Sequence, residues 1–203
     1  LHEIGWWLGL IIAFLLPITE LLFTKNIRLK NIAHSFFGLL YISLSYGLMI
    51  SLWQTGFRWC QIYNIGTIRI PIILILSLWI NDTMAYIVGS LIGKTPLSKI
   101  SPKKTWEGTI GGILLAAIVA IFAFPAIYNH HLYRPMMILS GSIALITSIA
   151  GTFGDLLESK LKRLAGIKDS GSLMPGHGGF LDRFDSLLLA TPFVWLYVQL
   201  FMR

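Results

Sequence analysis

Five of the nine acidic residues fall within residues 154–186: Asp155, Glu158, Asp169, Asp182 and Asp185. Five of the sixteen basic residues and six glycines share that stretch. Asp182 and Asp185 are three apart, so a helix over 180–190 puts both carboxylates on one face. With Asp155 at the end of the preceding apolar run, they would make a hard-oxygen site of the kind Mg2+ takes up together with phosphate oxygens and water. Lys160 and Arg163 also share a helical face and would neutralise a polyphosphate. His177 sits between glycines, where it would donate to a phosphate or move a proton. Glycines permit positive φ and close backbone approach, and successive amides in such turns form anion-binding nests. A solvated stretch whose acids merely pair with its bases is the plainer alternative. It accounts for any one of these residues, and less readily for so many special backbone positions beside so many charges.

Three other places carry chemistry-bearing residues. Asp82 lies inside an apolar run, where a charge costs about 2.5–3.5 kcal/mol on insertion scales. An acid retained there is expected to line a polar cavity, the alternative being a hydrogen-bonded Asp in a helix interface. Lys103 and Lys104 stand beside Pro102, Trp106 and Glu107. They are either a basic anchor with an interfacial Trp or ligands of headgroup or nucleotide phosphate. Residues 89–95 look like a phosphate-binding loop but have three residues, not four, between Gly89 and Gly93. Close helix packing is the better use of these two glycines. His34, His130 and His131 have no metal-ligand spacing with nearby acids.

The elements that must position these residues are apolar. The chain has 203 residues, 55% hydrophobic and 12% charged, with mean hydropathy +0.73. A soluble domain carries about 25% charged residues, so an ordinary water-soluble enzyme is excluded in favour of an integral membrane protein. Runs such as 6–16, 70–80 and 110–124 approach what a bilayer crossing needs. Six helical spans are expected, at about 4–23, 34–53, 70–92, 109–128, 135–153 and 187–202. The fold class is therefore all-α and polytopic, with a polar cavity facing the cytoplasm. Residues 1–69 form N-terminal spans and 70–203 a catalytic region containing the 154–186 loop. Twelve Lys and Arg fall in the loops 24–33, 93–108 and 154–186, against Arg58, Arg69, Arg134 and Arg203 on the other side. The positive-inside rule puts the three basic loops in the cytoplasm. The chain starts at Leu1, not Met, and residue 1 on the outer side fits either an odd number of missing earlier spans or an N-terminus that starts outside. The net charge of +7 suits anionic headgroups. Nucleic acid is not an expected partner, because no basic face has interleaved aromatics. Cys60 is the only cysteine, so no intrachain disulfide forms.

The segments 159–163, 168–169 and 177–185 closely resemble the signature of the CDP-diacylglycerol synthase (phosphatidate cytidylyltransferase) family, with fixed spacing across 159–185. Residues 81–86 and 101–108 look like further blocks of that family, and the resemblance extends over roughly 75–190. It implies a Mg2+-dependent reaction of phosphatidate with CTP to give CDP-diacylglycerol and pyrophosphate, at the bacterial inner membrane with the site facing the cytoplasm. The metals would be held by Asp155, Asp182 and Asp185. The expected catalytic set is these three with Lys160, Arg163, His177 and Arg183. Asp82, Lys103, Lys104, Lys168, Gly178 and Gly179 would contact substrate. A homodimer is left open, since nothing in the sequence fixes the oligomeric state.

Two rivals remain at this level. A CTP-dependent lipid or polyprenol kinase would move the γ-phosphate to an alcohol and would need a base to deprotonate it. A transporter would use Asp82 and Asp155 as an ion or proton relay. Against transport, the acids concentrate in one loop rather than along a path.

Overall fold

The computed structural model describes residues 29–63, 69–98, 100–127, 134–167, 170–171, 179 and 181–202, with scattered positions between 11 and 22. The expected first span, and with it Lys168, Asp169, His177, Gly178, His130 and His131, lies wholly or mostly outside the described residues. The described residues form five helices: α1 Leu29–Tyr63, α2 Ile70–Ile92, α3 Trp106–Ile127, α4 Arg134–Leu164 and α5 Leu181–Phe201. Each contains a stretch long and apolar enough to cross a membrane. Helices are the required solution, because hydrocarbon offers no partner for backbone N–H and C=O groups. An isolated bridge between Pro96 and Thr105 is the one β-type pairing among the described residues.

By contacts the chain divides into Leu1–Gly47 and Leu48–Arg203. In the first unit, Phe37 and Tyr41 stack one turn apart with ring centroids 6.1 Å apart. Ser45 Oγ donates to the Tyr41 carbonyl at 2.8 Å. In the second unit, α2 packs on α3, α3 on α4 and α4 on α5, with α4 also touching α2. The apolar window of α4 is 56% buried inside the protein, against 28% for α2 and α3, which makes α4 the central helix of this unit. Leu52, Ile73, Leu74, Phe124, Met136, Ile143, Leu187 and Val194 are among the buried core. On α3 the opposite face shows Ile110, Leu114, Ile118 and Phe122, four residues apart and all exposed. Such an apolar outer stripe is a lipid-facing surface.

Local sequence explains where the helices start and stop. Pro71 sits in the first turn of α2, where its missing N–H costs nothing. Arg69 just before it stacks on the Trp53 ring at 4.6 Å. Small residues bring α2 and α3 together: a Cβ on Gly108 would lie 2.7 Å from the Ala85 carbonyl oxygen, and one on Gly112 would lie 2.7 Å from the Ala85 Cβ. The helix-packing use holds for Gly89, where an added Cβ would lie 3.6 Å from Gly108 Cα of α3, whereas Gly93 caps α2 and a Cβ there would meet Thr105 in the connection. At the other end, α4 closes in a Schellman motif. Ile167 N–H donates to Lys162 O at 3.0 Å, Gly166 N–H to Arg163 O at 3.1 Å, and Gly166 has φ +70.

That closure narrows the 154–186 stretch. Residues to Leu164 continue α4 and residues from Leu181 belong to α5, so only 165–180 connects helices. Apolar runs mark where lipid starts, not where a helix ends, and α4 is continued beyond its run by charged residues with good helix propensity.

Candidate functional site

The chemistry-bearing residues gather in two clusters, each built around a lysine. The first forms on Lys104, which the 93–105 connection presents. Leu97 N–H donates to Lys104 O at 2.7 Å and Trp106 N–H to Thr95 O at 2.9 Å. Glu107, in the first turn of α3, reaches back to fix the turn's start. It accepts the Thr95 hydroxyl at 2.6 Å and the Thr95 and Lys94 amides at 3.2 Å. Ser98 Oγ accepts the amides of Ile100 and Ser101. So braced, the connection carries Lys104 to Asp155 of α4, with which it forms an ion pair across 51 residues of sequence.

Asp82 of α2 and Asp185 of α5 act on the same ammonium through their charge. Burial pushes Lys104 below the ordinary lysine range, and these two carboxylates pull it back up. Asp185 is buried and accepts the Ser186 amide at 2.6 Å. Gly154 explains the approach of α5: a Cβ there would lie 2.8 Å from the Asp185 carbonyl oxygen. The glycine thus brings the start of α5 beside the residue that precedes Asp155.

The second cluster centres on Lys162, in the last turn of α4. Its Nζ lies 2.5 Å from Glu158 Oε2, one turn earlier, and 2.6 Å from Asp182 Oδ1 in the first turn of α5. Asp182 Oδ2 accepts the Ser170 amide at 2.9 Å, the Ser170 hydroxyl at 2.7 Å and the Gly179 amide at 2.7 Å. One carboxylate therefore ties both flanks of the 165–180 connection to two helices.

Asp82, Lys104, Asp155 and Asp185 come together, and Asp182 joins Gly179. Lys103 is exposed on the connection, and Lys160 and Arg163 are exposed on α4. Arg183, between the two α5 acids, is exposed too. Lys168, His177 and Gly178 lie outside the described residues. Lys162, Glu158, Ser170 and the Thr95–Glu107 clamp are absent from the sequence-derived set. Glu158 and Lys162 have an i,i+4 spacing with the acid first, a legible helix pair, but reading 154–186 as a loop hides it.

Among the described residues, no group of three or more His, Cys, Asp or Glu side chains is placed to hold a metal ion. Asp155 and Asp185 are nevertheless carboxylates of the kind a hard divalent cation takes, Asp155 beside Lys104 and Asp185 within the influence of Lys104 and Lys162. Asp182 suits one less well, because protein donors take both of its oxygens.

A model of the cytidylyltransferase family matches residues 3–201. The phosphatidate cytidylyltransferase of Staphylococcus haemolyticus is 38% identical over 196 residues, covering 90% of this chain and 74% of that protein. Phosphatidate cytidylyltransferase 5, chloroplastic, of Arabidopsis thaliana is 34% identical over 205 residues, covering 93% of this chain and 50% of the relative. The Bacillus subtilis phosphatidate cytidylyltransferase is 47% identical over 126 residues, 61% of this chain and 45% of that protein. The chain thus spans about half the length of several curated relatives it matches.

Proposed function

The chain belongs to the cytidylyltransferase family, and on that premise we propose that it transfers CMP from CTP to phosphatidate, giving CDP-diacylglycerol and pyrophosphate with Mg2+. A phosphatidate oxygen attacks the α-phosphorus of CTP, forming one P–O bond as the bond to the β-phosphate oxygen breaks and pyrophosphate leaves. The attacking phosphate is already anionic, so no strong base is needed. The obstacle is repulsion between two anions, which positioning and charge neutralisation overcome.

The observation that carries this reading is the Lys104 cluster. Asp82, Asp155 and Asp185 all act on the Lys104 ammonium, and Lys162 acts on Asp185 as well. Asp155 and Asp185 would hold a divalent cation there. When bound, Mg2+ neutralises and orients phosphate oxygens. Lys104 is then available to a phosphate, and Lys103, exposed on the same connection, adds a second cation at its rim. The three basic loops and the cluster are assigned to the cytoplasmic side of a bacterial inner membrane, where CTP is present.

The test uses purified protein, Mg2+, phosphatidate and CTP labelled separately in the cytosine ring and the γ-phosphate. Ring label in extracted lipid and γ-label in pyrophosphate are expected. Lipid carrying γ-label alone would mean a kinase and would sink this proposal.

A further inference from the structure

α4 is longer than a bilayer crossing. Its 31 residues extend about 46 Å at a rise of about 1.5 Å per residue, against about 30 Å of hydrocarbon. No Lys, Arg, Asp or Glu occurs from 135 to 154, whereas five occur from 155 to 164. The excess length is therefore at the C-terminal end.

That end does not have the surface of a helix in water. Ile138, Leu145, Ile149, Phe153, Leu157 and Leu164 are exposed at intervals of four or seven residues, which makes one outer stripe. The stripe continues past the point where charges begin, with Leu161 exposed beside it and Ile167 in the closing turn. From Ile138 to Leu164 it is about 39 Å long, and a tilt of about 20° still leaves about 37 Å. Its last two turns thus stand in the headgroup layer, which adds roughly 5–7 Å on each side of the hydrocarbon.

Charges on these turns are sorted by side. Asp155 pairs with Lys104, and Glu158 is buried against Lys162, which also holds Asp182. Lys160 is two residues from Lys162, about 200° around the helix, and is exposed between Leu157 and Leu164. Arg163 is exposed on the flank of the same stripe. From 153 to 164 these two are the exposed charges, and both are positive. Continuity with a lipid-facing surface and a positive outer face at headgroup level together select the occupant. Leucines enter the acyl boundary while basic side chains reach up to anionic phosphates.

We infer that residues 157–164 of α4 form a docking surface for anionic phospholipids of the leaflet on the Asp155 side, with Lys160 and Arg163 taking the headgroup phosphate. The surface holds anionic lipid, the chemical class of phosphatidate, about 8 Å along the helix axis from Asp155. It goes beyond the cytidylyl-transfer reading and does not rest on it.

The experiment places a bimane fluorophore through Leu164→Cys in a Cys60→Ser background, Cys60 being the only cysteine. Leu164 is 75% exposed, so the label displaces no packing. The 203-residue chain is reconstituted in phosphatidylcholine vesicles without CTP. Quenching is then titrated with phosphatidylcholine or phosphatidylglycerol spin-labelled near the headgroup end of the acyl chain. Phosphatidylglycerol should associate about fivefold more strongly or better, the effect of a basic side chain near anionic lipid, and added salt should reduce the preference. Lys160→Gln with Arg163→Gln should bring the two lipids to parity, whereas Lys160→Arg with Arg163→Lys should keep the preference.

Equal quenching by both lipids in the labelled parent, or a preference that survives the double Gln variant, would overturn the assignment. So would a label reached by aqueous iodide and by neither lipid, which would put this face in water. A label shielded from lipid and iodide alike would mean that protein, a second copy included, covers it, and would overturn the assignment as well.

Discussion

Lys104 and Lys162 both meet carboxylates, in opposite ways. Lys104 comes from a connection between helices, keeps 37% of its side chain exposed and feels the charge of acids from three helices. Lys162 is part of α4, is only 18% exposed and lies between an acid of its own helix and one of the next. Around Lys104, the ion pair with Asp155 is open to solvent. Around Lys162, Asp182 has its acceptors filled by backbone and hydroxyl donors from both flanks of one connection. An open cluster is suited to incoming charge, and a saturated one is suited to holding chain in place.

The sharpest way to break this contrast is to remove one acid from each cluster. Asp182→Asn should lower stability by about 1–3 kcal/mol, the cost of leaving part-buried donors poorly satisfied. Hydrogen exchange should rise at Ser170 and Gly179, and turnover should be lost with it. Asp155→Asn should lower kcat/KM by about 10²–10³-fold, as for loss of a single electrostatic stabiliser, with the thermal melt in detergent little changed. Equal melts for the two variants would erase the distinction between anchor and reaction site.

Gly154→Ala probes the approach that joins α4 to α5. Its Cβ would crowd the Asp185 carbonyl, and overpacking of this kind costs about 1–3 kcal/mol. Chemical denaturation measures that loss, and activity should fall further than stability alone accounts for. The smallest effect separates adjacent lysines. Lys104→Ala should reduce kcat/KM by at least about tenfold, the lower end for a charge-assisted contact. Lys103→Ala, at an exposed position, should change it less than about threefold. Matching losses at both positions would return the pair to a shared phosphate-binding role.

Much of this arrangement is legible in the chain. The apolar runs set the class, and the 70–92 span coincides with α2. The i,i+3 spacing of Asp182 and Asp185 gives a shared face on condition that 180–190 is helical, and α5 includes both residues; the family resemblance rests on fixed motif spacing. The ends of α4 and α5 are less legible, because both helices continue into charged sequence that hydropathy reads as loop. With the helical register of 154–164 hidden, Lys160 and Arg163 stand out as the phosphate cations. In the folded chain it is Lys162, set between them and turned inward, that meets carboxylates.

What the sequence determined by itself is therefore whatever depends on composition and short-range period: a helical membrane protein, its family and its acid-rich stretch. Which lysine meets which acid was decided only by the tertiary structure. Lys104 and Asp155 are 51 residues apart, and their meeting depends on Glu107 bracing one connection and on glycines that let helices approach. Asp182 and Asp185 belong to one helix turn, yet one is saturated by loop donors and the other faces the open cluster. Local spacing fixes the side of a helix from which a carboxylate projects. Only packing fixes what stands opposite it, and that neighbour decides whether the charge anchors the chain or remains available to a substrate.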